Sequence, residues 1–338
     1  MGKQVRLDAM VHGRHFSEQP RIRPVSAMLM LVLLGCAGNA SQARDAALQG
    51  RSAPFAVLDE AWLSPNNCDA IRDPIRVEAL DERTFIFRES PCVDREAPFL
   101  FLLIGTERAL LVDSGTQDGV FLVEVVGQKL AESGLGFADL TVAHSHSHLD
   151  HRSGDEALTD AGARVIGSTV EEVREFWNLE AWPEGVASLD LGDRLVEVIP
   201  IPGHNDNSVA LFDHGTRALL SGDSMMRGKI NVNDLSAFRD SVARLSRFID
   251  DVDPRVILGG HLERANVPLG LAPATVEELA VLSERVSFVR PFARGDHFTI
   301  VYLRPIFAAM GGGFLLLIGG LLRRLVLAAR RRRTRNGQ

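Results

Sequence analysis

The stretch Ala143-His144-Ser145-His146-Ser147-His148-Leu149-Asp150-His151 follows a short apolar run that is typical of a buried β-strand. Alternate residues of an extended chain project to the same side, so His146 and His148 are expected to point together. Asp150 and His151 come after the chain turns, and we expect them to reach a second position. Imidazole nitrogens and carboxylate oxygens suit Zn²⁺ and similar divalent ions. The stretch therefore predicts a metal-binding loop at a strand end.

Three later segments repeat one arrangement, in which an apolar strand and one or two small residues precede a side chain that can bind a metal. They end in Pro202-Gly203-His204, Gly222-Asp223 and Gly259-Gly260-His261. Glycine lets the backbone turn sharply and approach a crowded centre. Side chains that follow several strand ends can meet at one edge of a sheet. We therefore expect these three segments to complete the metal site.

Residues from about Ala53 to about Leu271 are predicted to form one α/β domain, because apolar runs of strand length alternate with amphipathic helical patterns. The predicted strands are Phe99–Ile104, Ala109–Val112, Leu140–Ala143, Arg164–Ile166, Leu195–Ile201, Ser208–Phe212, Ala218–Leu220 and Val256–Leu258. The predicted helices are Gly119–Ser133, Thr169–Asn178 and Leu235–Ile249, and residues 272–299 are predicted to be a helical connector.

Residues 1–43 have the pattern of an export signal. Arg21 and Arg23 precede an apolar run from Val25 to Gly35, which is too short to cross a bilayer as a helix. Two processing routes stay open. Leu33-Leu34-Gly35-Cys36 resembles a lipobox, in which the cysteine is lipidated, and the small residues that follow it offer ordinary cleavage sites.

The C-terminal part of the chain has the pattern of a transmembrane helix. Residues 300–322 are apolar except for Arg304, and the run is long enough to cross the hydrocarbon core. Residues 323–338 form an arginine-rich tail without acidic residues. By the positive-inside rule the tail is cytoplasmic. The sequence therefore predicts attachment to a bacterial inner membrane, contact with membrane lipid, and a periplasmic catalytic domain.

The charge and cysteine content narrow the function classes. The net charge is −7, and because the tail holds so many arginines the rest of the chain is more acidic still. An acidic body is poorly suited to a phosphate backbone, so we expect no nucleic-acid partner. Cys68 and Cys92 are left as a pair after the export segment, and they are interpreted either as a disulfide or as two buried thiols.

Taken together, these motifs resemble the metallo-β-lactamase superfamily, and its glyoxalase II-type hydrolases more than its lactamases. The family's HxHxDH motif matches residues 146–151, and its later histidine, bridging aspartate and last histidine match His204, Asp223 and His261. Its early strand-end aspartate matches Asp113 in Leu111-Val112-Asp113-Ser114-Gly115. The resemblance implies a four-layer αββα sandwich, formed by two mixed sheets packed face to face with helices outside.

The resemblance also implies a role for each ligand. His146, His148 and His204 would hold a first metal, Asp150, His151 and His261 a second, and Asp223 would bridge them. Two Zn²⁺ ions per chain are expected, and Fe or Mn would also suit these ligands. Asp113 would orient the ligands without binding a metal itself. His144 has no place in the family's pattern, and we interpret it as a supporting or core residue.

The function implied by the resemblance is hydrolysis of an activated carbonyl in a small molecule: a thioester, ester, lactone or lactam. Asp150 would act catalytically by orienting the hydroxide and accepting its proton. No cysteine follows Cys92, and the only tyrosine is Tyr302. Members of the superfamily that need a cysteine or a tyrosine in the active site therefore match this sequence poorly. Two alternatives stay open: an iron-dependent sulfur dioxygenase-like enzyme on the same fold, and a non-catalytic metal-binding sensor.

Two further segments near the predicted site have both a functional and an ordinary interpretation. Residues 176–184 contain Trp177 and Trp182, which would form either an apolar lip for substrate or plain core packing. Arg227 and Lys229 follow Asp223 closely and would either attract an anionic substrate or lie on a solvated surface.

Overall fold

The structure, a computed structural model, describes Leu58, Cys68, residues 73–263 and residues 267–307. By contacts the chain divides into Met1–Ser52 and Ala53–Gln338, and every described residue belongs to the second unit. The predicted export segment and the arginine-rich tail lie outside the described residues, as does the greater part of the predicted membrane span.

The first sheet has six strands in sequential order. Its strands are β1 (Ile75–Asp81), β2 (Thr84–Glu89), β3 (Phe99–Ile104), β4 (Ala109–Val112), β5 (Leu140–Ala143) and β6 (Arg164–Val165). The first four strands are antiparallel, whereas β4, β5 and β6 are parallel. Helices α1 (Val120–Glu132), α2 (Asp155–Asp160) and α3 (Val170–Trp177) lie in the connections between its parallel strands or follow it.

The second sheet has five strands in the order β12-β10-β9-β8-β7. Its strands are β7 (Ala187–Asp190), β8 (Leu195–Pro200), β9 (Val209–Asp213), β10 (Ala218–Gly222) and β12 (Val256–Gly259). Strands β8, β10 and β12 run in one direction, because β9 is antiparallel to both of its neighbours and β10 is parallel to β12. Helix α4 (Leu235–Val252) directly precedes β12 in the chain.

The two sheets pack face to face, and the alternation of apolar side chains along each strand explains why. Phe99, Phe101 and Leu103 of β3 lie in a central core with Val209 and Leu211 of β9. The intervening residues of β3 face the other way and pack with α1 and α2, while those of β9 pack with α4. Because strand side chains alternate between two faces, each sheet is covered on both sides. This arrangement is the predicted αββα order of layers.

Beyond the two large sheets, a third sheet has the order β11-β14-β13. It comprises β11 (Gly228–Val232), β13 (Phe292–Arg294) and β14 (Phe298–Tyr302), and helix α5 (Thr275–Arg285) precedes it. The predicted helical connector is therefore helical only in α5. The first residues of the predicted span, Ile300 to Tyr302, lie in β14 instead, because Ile300 is buried between β11 and β13. The apolar run alone does not distinguish a buried strand from a membrane span, because both are hydrophobic.

No helix within residues 73–263 and 267–307 has the length and apolar character that a membrane crossing requires.

Two further interactions, one covalent and one ionic, connect separate parts of the domain. Cys68 and Cys92 form a disulfide, with 5.4 Å between their Cα atoms, which confirms the first of the two interpretations of this pair. Arg194, in the turn between β7 and β8, forms a bidentate ion pair with Asp213, with distances of 2.8 and 2.7 Å. The same guanidinium donates to the carbonyl oxygens of Arg83 and Ile104, so it connects the second sheet to the first.

Candidate metal centre

The predicted ligands lie on loops that leave the same edge of the sandwich. The loop 144–151 follows β5, while His204, Asp223 and His261 follow β8, β10 and β12. These last three strands run in one direction and end at one edge of their sheet. Strand direction thus brings together side chains that are far apart in sequence.

One set of three imidazole nitrogens converges on a single point. The Nε2 atom of His146 lies 2.9 Å from Nδ1 of His148, and Nε2 of His204 lies 3.2 and 3.1 Å from those two atoms. His146 and His204 are buried. These separations are slightly shorter than the roughly 3.3 Å expected between nitrogens around one tetrahedral zinc with Zn–N bonds of about 2.0–2.1 Å.

A second set lies beside the first. The Nε2 atoms of His151 and His261 are 3.0 Å apart. The Oδ2 atom of Asp150 lies 3.2 Å from the Nε2 of His261 and 3.5 Å from that of His151. These three atoms also fit around one cation.

Asp223 joins the two sets. Its Oδ1 lies 3.5 Å from Nε2 of His151 and 3.6 Å from Nε2 of His261, whereas its Oδ2 lies 3.7 Å from Nε2 of His204. Oδ1 is buried and has no hydrogen-bond partner. A buried carboxylate oxygen without a donor is costly unless a cation satisfies it. All seven predicted ligands are therefore brought together, in two groups that share Asp223.

In four of these histidines the ring nitrogen that faces away from the centre, Nδ1, contacts an oxygen atom of the protein. Nδ1 of His204 donates to the carbonyl of Asn231, and Nδ1 of His261 donates to that of Glu96, each at 2.7 Å. Nδ1 of His146 lies 3.1 Å from Ser145 Oγ, and Nδ1 of His151 lies 2.8 Å from Asp113 Oδ2. A proton on Nδ1 leaves a lone pair on Nε2, so these contacts fix which nitrogen faces the centre.

Asp113 supports two parts of the site at once. It has φ 67°, a left-handed conformation, in the turn after β4. Its carboxylate accepts hydrogen bonds from Ser145 N at 2.7 Å and Ser145 Oγ at 2.8 Å, in addition to His151. Asp113 therefore fixes the histidine loop and one predicted ligand, His151, without contacting the centre itself. His144 is buried, with its Nε2 3.2 Å from Asp155 Oδ2, and lies outside both groups.

The pKa values of the imidazoles differ between the two groups. Burial lowers the pKa of His146 well below its ordinary value, and the neighbouring His151 adds to this. Burial also lowers the pKa of His204. Burial alone would lower the pKa of His261, but the Asp223 and Asp150 carboxylates outweigh it and raise that pKa to about 10. The carboxylate-rich group is thus the one that attracts positive charge.

Glycine permits the close approach of these loops. A Cβ atom on Gly260 would lie 2.6 Å from Asp223 Oδ1 and 2.9 Å from Cε1 of His151. A Cβ atom on Gly203 would lie 2.5 Å from the Cα atom of Phe238, and Gly203 has φ 139°. The small residues before His204 and His261 are therefore required by the crowding that the sequence pattern predicts.

A cavity of about 400 Å³ opens onto the centre. Its lining residues are Asp94, Glu96, Thr116, His148, Leu149, Asp150, Ser153, His204, Asp223 and Asn231. Arg227 donates to carbonyl oxygens of Pro268 and Gly270, and Lys229 pairs with Glu263 at 3.6 Å, so neither lines this cavity. Trp177 is buried and Trp182 packs against the core, which agrees with the packing interpretation of that segment.

The residues present fit a pair of divalent cations. Each group offers three or more nitrogen and oxygen atoms at coordination spacing, and the shared carboxylate has an oxygen that lacks any donor. Imidazole and carboxylate together suit Zn²⁺, and they are also compatible with Fe or Mn.

Three supporting contacts were not anticipated from the sequence. The carbonyls of Asn231 and Glu96 carry no sequence signal, since every residue has one. Glu89 is buried, and its carboxylate accepts from Thr116 N and Gln117 N in the turn that follows Asp113. An acidic residue at the end of an apolar run was the signal that could have identified Glu89.

Comparison with known proteins identifies a matching family model and several relatives. The profile of the metallo-beta-lactamase superfamily matches residues 94–261. A hydroxyacylglutathione hydrolase of Anaeromyxobacter dehalogenans (strain 2CP-C) is 30% identical over 128 residues, 38% of this chain and 46% of that protein. The acyl-coenzyme A thioesterase MBLAC2 of Gallus gallus is 24% identical over 198 residues, 48% of this chain and 71% of that protein.

Among solved structures, the metallo-beta-lactamase family protein TTHA1429 from Thermus thermophilus has a TM-score of 0.45 and 23% identity, over 61% of this chain and 81% of that one. The chain spans about half the length of the first hydrolase that it matches. The matched region 94–261 contains both groups of converging side chains together with Asp223, and this chain belongs to the metallo-beta-lactamase superfamily.

Proposed function

We propose that this chain is a membrane-tethered dinuclear zinc hydrolase that cleaves an activated carbonyl in a small molecule: a thioester, ester, lactone or lactam. The observation that carries the proposal is the pair of three-residue groups, with Asp223 between them, beside an open cavity. Both curated relatives are named for hydrolysis of an acyl compound, a hydroxyacylglutathione in one and an acyl-coenzyme A in the other.

When bound, two divalent cations lower the pKa of a water molecule and polarise a carbonyl oxygen. The chain's own residues supply position and proton transfer. Asp150 lines the cavity and is partly exposed to it. Although burial tends to raise its pKa, His261 and His151 hold that pKa well below the ordinary value, so Asp150 is a carboxylate at neutral pH. It can therefore orient the attacking water and accept its proton.

The central test measures metal content and hydrolysis on the full chain. We expect about two divalent ions per chain by mass spectrometry of the metals, hydrolysis of at least one substrate in a panel of thioesters, esters, lactones and lactams, and loss of activity with a chelator. The Asp150→Asn variant should lose activity. Asp160→Asn, which changes an exposed carboxylate in α2, is the matched control and should keep it.

The results also separate the alternatives. One ion or none in an active enzyme would contradict the dinuclear mechanism. Iron with oxygen consumption would favour a sulfur dioxygenase-like enzyme. Inactivity of the fully metal-loaded wild type across the whole panel would favour a metal-binding sensor.

The membrane part of the proposal places the chain in a bacterial inner membrane, with the catalytic domain periplasmic and the tail cytoplasmic. The apolar run that continues after β14 as far as residue 322, and the arginines after it, support this topology. The Cys68–Cys92 disulfide supports an oxidising compartment for the domain. A green fluorescent protein fused after Gln338 should fluoresce, and alkaline phosphatase fused there should be inactive. The opposite pair of results would refute the topology.

A further inference from the structure

The end of the third sheet brings three features to one edge. Strands β11 and β14 are parallel, so Val232 and Tyr302 are paired at their ends. Strand β13 is antiparallel to β14, so it begins where β14 ends, and Tyr302 N donates to Pro291 O at 2.8 Å. We call this edge, formed by residues 231–234, 287–292 and 302–307, the exit edge, because the described residues end there.

The metal centre lies on the β11 side of the exit edge. Asn231 lines the cavity, and its carbonyl holds Nδ1 of His204. Asn233 Nδ2 donates to the carbonyl of His204 at 2.6 Å. On the outgoing chain, Arg304 Nη2 lies 3.4 Å from Asp234 Oδ2. One short loop therefore contacts both a predicted ligand of the centre and the segment that directly follows β14.

The β13 side of the same edge carries exposed apolar side chains. Phe288 is 61% exposed, Val289 91% and Phe292 54%, all within five consecutive positions. Phe307, just past the end of β14, is 60% exposed. Single exposed apolar residues are common, but a contiguous group on one edge indicates an interaction surface. Two exposed arginines accompany the group, Arg285 before it and Arg290 within it.

The chain that follows the exit edge indicates the occupant of this surface. Residues 308–322, Ala-Ala-Met-Gly-Gly-Gly-Phe-Leu-Leu-Leu-Ile-Gly-Gly-Leu-Leu, are apolar throughout, and arginines come directly after them. At the exit edge itself, the exposed apolar side chains beside Arg285 and Arg290 have the composition of a surface that rests on anionic lipid headgroups. A water-soluble partner would not account for the apolar run.

We propose that the exit edge lies on an anionic phospholipid bilayer, and that the adjoining cavity takes its substrate from this bilayer as an amphiphilic ester or thioester with a long acyl chain. The substrate part of the proposal rests on the hydrolase function proposed above. Leu149, which lines the cavity and is 76% exposed, offers an apolar rim to such a chain.

The membrane contact is tested on the full chain reconstituted in vesicles of phosphatidylcholine and phosphatidylglycerol. Phe288→Trp adds a fluorophore at the exit edge, and Asp296→Trp adds one in the turn at the opposite end of the β13–β14 hairpin, about 17 Å away along β14. Vesicles with brominated acyl chains should quench the emission added at position 288 and leave that at 296 unchanged. Equal emission from position 288 in brominated and ordinary vesicles would overturn the contact.

The substrate class is tested with one thioester head group that carries either an acetyl or a palmitoyl chain, the latter supplied in vesicles. The Phe288→Ser/Val289→Ser variant should lose at least roughly tenfold in kcat/KM on the palmitoyl substrate, the equivalent of about one apolar side chain withdrawn from lipid, and nothing on the acetyl substrate. An equal loss on both substrates, or no loss on either, would contradict the proposal. If the wild type hydrolyses neither, the hydrolase function fails, and the tryptophan result still decides the membrane contact.

Discussion

At the scale of single residues, the centre depends on which imidazole nitrogen is free. Nδ1 of His151 is held by Asp113, and Nδ1 of His204 and His261 are held by backbone carbonyls. Each contact keeps a proton on the far nitrogen and leaves the near one able to bind a cation. We therefore expect the supporting oxygens to influence metal affinity without being ligands themselves.

Asp113→Asn should weaken the metal group that contains His151. An asparagine can accept from Ser145 N or from the imidazole, but its amide then faces the other donor. If His151 responds by moving its proton to Nε2, it can no longer bind a cation. We expect a 10–100-fold loss of affinity for one of two ions, of the order seen for such supporting contacts, measured by titration with a competing chelator. Asp155→Asn is the control. Unchanged affinity for both ions would contradict this role.

Gly260→Ala should also disturb the centre, but by crowding. The added methyl would lie 2.6 Å from Asp223 Oδ1, the atom that faces the second group. We expect fewer bound ions per chain while far-UV circular dichroism stays native. Gly136→Ala is the matched control, because no atom lies within 4 Å of its added Cβ. If the Gly260→Ala variant still binds two ions, the loops move enough to accommodate the methyl group, and the prediction is contradicted.

At the scale of elements, a buried ion pair in the second sheet involves the same arginine that connects this sheet to the first. Asp213 at the end of β9 and Arg194 before β8 are both buried. Asp213→Asn leaves the guanidinium without its charge partner, which typically costs about 3–5 kcal/mol in the free energy of unfolding. Denaturant-induced unfolding of wild type and variant measures this loss of free energy. Glu78→Gln, which breaks the half-exposed pair with Arg76, is the control and should cost about 1 kcal/mol or less.

The same pair predicts a dependence of stability on pH. Burial would raise the pKa of Asp213, but the hydrogen bonds and charge of Arg194 lower it below the ordinary value. Because the folded-state pKa is depressed, the stabilisation is complete above the unfolded pKa of about 3.9 and is lost as the pH falls through the folded value. The difference in unfolding free energy between wild type and Asp213→Asn should therefore shrink on acidification below about pH 4. A constant difference would refute the assignment.

The disulfide acts on a loop that touches the centre. Cys92 lies in the loop that contains Glu96, whose carbonyl holds His261. A link between residues 24 apart is expected to contribute about 3 kcal/mol to stability. A Cys68→Ser/Cys92→Ser variant should unfold at lower denaturant concentration and bind one of its ions more weakly. Reductant should affect the wild type in the same way and leave the variant unchanged.

At the scale of the whole molecule, we expect metal binding to be coupled to the release of protons. The pKa of His261 is raised to about 10 chiefly because the attraction of Asp223 and Asp150 outweighs the opposing effect of burial. A cation that binds this nitrogen must displace its proton at any pH below that value. We therefore expect protons to be released on metal addition in weakly buffered solution, and apparent affinity to rise as the pH increases from about 6 to about 9. An affinity independent of pH would contradict the assignment of His261 as a ligand.

The strands and ligand types were predictable because their signals are local. Phe99–Ile104, Ala109–Val112 and Leu140–Ala143 have the bounds that their apolar runs predict, and α1 differs by one residue at each end. By contrast, β1 and β2 were not predicted, and residues 300–302 were assigned to a membrane span. An apolar run does not by itself distinguish a strand between two neighbours from a segment in lipid.

By itself, the sequence determined which side chains can bind metal and that they follow strand ends, because alternation and strand-end glycines are properties of adjacent residues. Only the tertiary structure decided that His151 and His261, 110 residues apart, approach within 3.0 Å. It also decided that the carbonyls of Glu96 and Asn231 orient their imidazoles. A backbone carbonyl is the same in every residue, so its role comes from strand direction and packing alone.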